Sequence, residues 1–102
     1  MNNYMKEFPH YDGFLPMIEG FEDTSWHNDS CPSLTYKLKA DYELRLYVDF
    51  DDPERRESGG HKYKLSLVSP EDEWTWIIQT DCERMLKGAI KGFLVGGKHD
   101  IV

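Results

Sequence analysis

Between residues 34 and 50 the chain alternates. Leu34, Tyr36, Leu38, Ala40, Tyr42, Leu44, Leu46, Val48 and Phe50 take the even positions. Thr35, Lys37, Lys39, Asp41, Glu43, Arg45 and Asp49 fall between them, with Tyr47 the one aromatic exception. Successive side chains of a strand point to opposite faces, so this spacing predicts β-structure with one apolar and one wet face. A single strand of that length would run roughly 56 Å at about 3.3 Å per residue, too long for a small domain. A break is expected near Lys39–Asp41, giving strands over 34–38 and 42–50.

Further strands follow the same logic. Tyr63, Leu65 and Leu67 share one face of a strand over 61–68, opposite Lys62, Lys64 and Ser66. Ser69-Pro70-Glu71-Asp72 reads as a turn. A strand over 73–79 then places Trp74, Trp76 and Ile78 on one face and Thr75, Ile77 and Gln79 on the other, completing a hairpin. Thr80 and Glu83 match a capping box, and Met85, Leu86, Ala89, Ile90, Phe93 and Leu94 form an apolar stripe, which predicts a helix over 81–95 closed by Gly96–Gly97. Gly88, Gly92 and Gly96 recur every four residues, and their expected reason is close approach of the helix to the sheet or to a partner.

Residues 1–33 carry rings and aliphatics without a period, punctuated by Pro9, Pro16, Pro32, Gly13 and Gly20. They read as an irregular aromatic arm packed on the sheet, with a short strand or turn around Phe14 to Ile18. The expected fold is α+β: one domain over 1–102, in which an antiparallel sheet of three or four strands is packed by one C-terminal helix.

The formal charge is −7, concentrated at −5 in residues 1–33, with −2 in 34–60 and none net in 61–102. Such a chain lacks the basic footprint of a phosphate binder, so direct nucleic-acid binding is not expected, whereas a basic-surfaced protein partner is. The charge also fits plain solubility. Cys31 and Cys82 are too few for a stapled secreted domain, and no apolar run approaches a membrane span, which predicts a cytoplasmic protein with free thiols. A Cys31–Cys82 bridge stays open at this level.

Three segments offer side chains for function. Trp26, His27, Asn28, Asp29 and Cys31 fall within one short loop. His27, Asp29 and Cys31 have ligand chemistry without zinc-site spacing. Cys31 with His27 as base would make a thiol nucleophile without a known signature. The plainer reading has Asn28, Asp29 and Ser30 in turns while Trp26 and Cys31 pack into the core. The second segment holds Asp49, Asp51, Asp52, Arg55, Arg56 and Glu57. Its acids fail the EF-hand pattern, since that pattern's glycine and glutamate positions hold Glu54 and Gly60. It reads as a charged loop or as an arginine-bearing contact patch. In the third, Trp74 and Trp76 read as core residues or as an aromatic platform; Glu71, Asp72 and Glu73 beside them argue against nucleic acid. No phosphate loop, dinucleotide fingerprint, nucleophile elbow or zinc-protease motif occurs in the sequence.

The pieces Thr24-Ser25-Trp26-His27-Asn28-Asp29-Ser30-Cys31-Pro32-Ser33 and Val48-Asp49-Phe50-Asp51-Asp52-Pro53-Glu54-Arg55-Arg56-Glu57 resemble a group of small bacterial proteins, some carried on phages or plasmids. These share a TSWxNDxCPS stretch followed by VDYxDPxxRE, and the likeness spans about residues 22–68. It implies a bacterial or mobile-element origin and no particular activity. It also implies that the two segments meet, with Arg55 or Arg56 pairing with Asp29.

The expected function is a non-enzymatic, acidic protein-binding module without cofactor or metal. In its sharper form it is a phage or mobile-element inhibitor docked on a basic nucleic-acid-binding surface of a host defence protein. The alternative is a small-ligand, metal or thiol-dependent protein centred on residues 24–33. A symmetric homodimer stays open.

Overall fold

The computed structural model describes residues 3–57 and 60–96. The chain runs α1 (Asn3–Glu7), β1 (Glu22–Asp23), β2 (Ser33–Lys37), β3 (Glu43–Val48), β4 (Tyr63–Val68), β5 (Trp74–Thr80) and α2 (Glu83–Gly96). The strands form one antiparallel meander in the order β1-β2-β3-β4-β5. The sheet thus has five strands rather than three or four. The added one, β1, comes from the arm and pairs Glu22 with Thr35. It lies just beyond the Phe14–Ile18 stretch expected to hold a short strand or turn.

The long alternation breaks where chain length demands. Lys39–Asp41 forms a tight turn in which Ala40 (φ 56°) and Asp41 (φ 61°) both take the left-handed region. Two such residues reverse the chain without a glycine, at a cost of roughly 1–2 kcal/mol each. The reversal lets the even residues of β2 and β3 share one face. Leu34, Leu46, Leu65 and Ile78 then stand in one row across four strands, and Leu44 pairs with both Tyr36 and Leu67.

That face is the core. Leu44, Leu46, Val48 and Leu65 are fully buried, and α2 covers them with Leu86 and Ile90. Tyr11, Leu15, Ile18 and Phe21 of the arm pack against the same cluster. Gly20 (φ +86°) turns the arm where a Cβ would run into the Tyr36 ring.

The entry to α2 departs from the expected capping box. Thr80 Oγ1 accepts from the Cys82 N–H at 3.1 Å, and the helix begins at Glu83. Asp81 is drawn away instead toward the segment before β4: it accepts from the Lys62 N–H at 2.8 Å and pairs with Arg56 at 3.3 Å. Gly88, Gly92 and Gly96 have open space where a Cβ would stand, so close approach to the sheet does not explain them. Gly97, expected to close the helix, lies outside the described residues. No helix among the described residues is long and apolar enough to cross a membrane.

Candidate functional site: the helix-free face of the sheet

α2 covers one face only. The opposite face is read off the ladder in three rows: Ser33, Tyr47, Lys64 and Gln79; Thr35, Arg45, Ser66 and Trp76; Lys37, Glu43, Val68 and Trp74. The tryptophans reach it through a β-bulge. Leu65 pairs with Ile78 but Ser66 pairs with Trp76, leaving Ile77 as the extra residue on β5. A bulge resets the parity of the residues beyond it. The expectation that Trp74, Trp76 and Ile78 share a face is therefore corrected. Ile77 and Ile78 pack toward the core, while Trp74 and Trp76 stand on the open side, 45% and 56% exposed.

Trp74 is held on several sides. Its ring stacks on Tyr47 at 6.2 Å, Arg45 lies 5.8 Å from its centroid, and its Nε1–H donates to Asp72 at 2.9 Å. Arg45 is itself clamped by Glu43 at 2.7 and 3.2 Å. Trp76 lacks such partners among the described residues and forms one wall of a concavity of about 480 Å³. Tyr47, Gln79, Lys64, Gly60 and Cys31 line it further, with Asp29, Ser30 and Glu57.

Beneath this hollow lies Asp49, 1% exposed. Its Oδ1 accepts from the Phe50 N–H at 2.9 Å, while Oδ2 has no hydrogen bond and only the Lys64 ammonium at 3.7 Å. A buried carboxylate needs a compensating charge, so Lys64 is drawn down toward it and away from solvent. Gly60 makes room for this, since a Cβ there would lie 2.9 Å from Lys64 Nζ.

Of the residues read from the sequence, Asp29, Cys31 and Glu57 come together at the concavity, with Asp49 below. The two segments meet, and the Val48 N–H donates to the Pro32 carbonyl at 2.9 Å. The expected arginine pairing with Asp29 is absent. Arg55 pairs with Asp12 at 3.7 Å, donates to the His10 carbonyl and lies over the Phe50 ring at 4.3 Å. Arg56 donates to the Phe50 and Asp51 carbonyls and pairs with Asp81, its side chain 7% exposed. These arginines tie the 51–57 loop to the arm and to Asp81 between β5 and α2, which removes Arg56 from any contact patch. Asp51 pairs with Lys62, and Asp52 caps the Pro53–Arg55 turn by accepting from the Glu54 N–H.

The first loop is split as well. His27 turns to α1, where its ring meets Glu7 at 2.9 Å and, with the His27 N–H, holds that carboxyl below the usual range. Asn28 is exposed. Trp26 is 51% exposed, its ring tilted against His27 at 4.3 Å, and so is not the core residue expected. Cys31 is buried as expected, and burial, followed by the charge of Asp49, pushes its thiol up to about 12. Burial that favours the protonated thiol disfavours the thiolate a nucleophile needs, so this geometry lends the thiol reading no support. Among the described residues no three His, Cys, Asp or Glu converge as a metal site, so His27, Asp29 and Cys31 do not form the ligand set considered. Cys31 and Cys82 are not bridged.

Sequence reasoning missed Tyr47, Lys64 and Gln79 as site residues, and held Trp76 with Trp74 between a core residue and an aromatic platform. Two signals pointed to them: Tyr47 is the one aromatic on the polar side of the alternation, and the adjacent pair Ile77-Ile78 breaks strict period two. No protein-family model, no curated protein and no solved structure matches this chain.

Proposed function

We propose that the chain is a non-enzymatic protein-binding module whose contact surface is the helix-free face of the sheet. The observation that carries this reading is the bulge. It places Trp74 and Trp76, which core packing would otherwise claim, half exposed on the sheet beside Tyr47 and Arg45. Tryptophan, tyrosine and arginine are the residues enriched at binding hot spots. The charge around the face selects the partner. Exposed Glu71, Asp72 and Glu73 border Trp74, and Asp29 and Glu57 border Trp76, so a basic protein surface is the complementary one. With the likeness to mobile-element proteins, this supports an inhibitor that covers a basic nucleic-acid-binding surface of a host defence protein.

The test is affinity capture from nuclease-treated bacterial lysate with wild-type protein, the Trp74→Ala/Trp76→Ala pair and a Phe14→Ala/Met17→Ala pair. Phe14 and Met17 are the most exposed large apolar residues among the described residues, on the arm. A stoichiometric basic partner that is lost with the tryptophan pair, kept with the arm pair and released by salt supports the reading. Loss with the arm pair alone, or retention by the tryptophan pair, refutes it.

A further inference from the structure

We infer that the concavity beside Trp76 is a receptor for a single guanidinium group, an arginine side chain presented by the partner. The inference rests on the protein-binding reading only in assigning that arginine to a partner. The hollow of about 480 Å³ has the two complementary parts a guanidinium needs. Trp76 and Tyr47 line it, and an arginine plane stacks on the faces of such rings, tryptophan being the best. Its rim carries Asp29 and Glu57, neither in an ion pair among the described residues, and the Gln79 amide offers a further acceptor.

Among the described residues the one cation lining the hollow is Lys64, and buried Asp49 offsets its charge at 3.7 Å. Cys31 contributes a buried thiol and no charge. The balance that remains is the two rim carboxylates, so an anion is disfavoured and a cation favoured. The plane of the guanidinium distinguishes it from an ammonium, because it can stack and donate in a fork to a carboxylate at once.

The experiment needs no identified partner. The peptide acetyl-Gly-Arg-Gly-amide is titrated into the full chain while the indole N–H signals are followed by NMR. The Trp76 signal is identified by its loss in Trp76→Phe. The same titration uses the peptide with citrulline, a neutral isostere, in place of arginine. The expected result is a saturable, millimolar shift of the Trp76 signal with arginine, at least roughly tenfold weaker with citrulline. The Asp29→Asn/Glu57→Gln variant, which changes only rim side chains, should weaken the arginine response similarly. Equal responses to both peptides, or a response confined to the Trp26 indole, overturn the receptor. A silent Trp76 signal alongside tryptophan-dependent capture removes the arginine receptor and leaves the docking face standing. A clear Trp76 response without any captured protein does the reverse.

Discussion

Trp76 and Ile78, two residues apart in β5, lie on opposite faces of the sheet. The single extra residue between their ladder partners, Ile77, separates the side that builds the core from the side on which Trp74 and Trp76 stand half exposed. The exposed rings are thus set in place by the same strand that helps seal the hydrophobic cluster.

The two tryptophans should therefore differ in stability and agree in binding. Trp74 stacks on Tyr47, lies beside Arg45 and donates to Asp72. Its removal to alanine should cost about 1 kcal/mol or slightly more. Trp76→Ala should stay within about 0.5 kcal/mol, as for a surface substitution. Leu65→Ala, with a fully buried side chain, is the reference at about 2–5 kcal/mol. Urea unfolding of the three variants gives the ranking, and equal costs for Trp74 and Trp76 would contradict the asymmetric support.

Asp49 and Lys64 form the buried end of the site, and two measurements read them. Removing one partner leaves the other uncompensated, so Asp49→Asn should destabilise by about 1–3 kcal/mol, less than for a fully buried pair because Lys64 can swing to solvent. The Asp49→Asn/Lys64→Met double variant should recover part of that loss in a double-mutant cycle. The second readout is thiol reactivity. In native protein a thiol reagent should label Cys82, which is exposed, and leave Cys31, which burial and Asp49 keep protonated. Asp49→Asn should lower the Cys31 value but not restore ordinary reactivity, since burial is the larger cause. Rapid labelling of both thiols in the folded wild type would contradict the packing.

Acid sensitivity should be traceable to Asp81. The Lys62 N–H, then Arg56 and His61, hold its carboxyl below the usual range. A group depressed on folding contributes stability above its unfolded value, near about 4, and loses that contribution as pH falls through the lower folded value. Asp81→Asn should lower the melting temperature at pH 7, and the gap to wild type should close toward pH 3. Because Asp81 is largely exposed, salt should shrink the effect. A gap independent of pH would assign Asp81 a role other than that of a charge.

The sheet and the main helix were legible because alternation and the apolar stripe are local patterns. Leu44, Leu46, Leu65, Leu86 and Ile90 could each be placed on the core face from spacing alone. Parity failed at one point: a bulge shifts the count by one, and only the pairing of Ser66 with Trp76 reveals it. The loop chemistry was harder for a different reason. Arg55 finds Asp12, and Arg56 finds Asp81, across separations of 43 and 25 residues. No local rule distinguishes those partners from Asp29, which carries the same charge. β1 escaped notice because a two-residue strand has too few positions to show a period.

The glycines of α2 allow the last prediction. A Cβ at Gly88 or Gly92 would meet nothing within 4 Å, and both sit inside the helix Glu83–Gly96. An interior glycine is destabilising by about 1 kcal/mol relative to alanine, because its unfolded backbone has more freedom to lose. Gly88→Ala and Gly92→Ala should each raise stability by about that amount; the two sites lie one helical turn apart, so the double variant measures any coupling between them. Thermal melts check the stability, and sedimentation with and without the captured partner checks what else changes. A gain in stability with assembly and partner affinity unchanged makes this flank of α2 a solvated surface. A gain accompanied by loss of a dimer or of the partner would mean that a second chain packs where the side chains are missing, and would place a contact on α2 as well as on the tryptophan face.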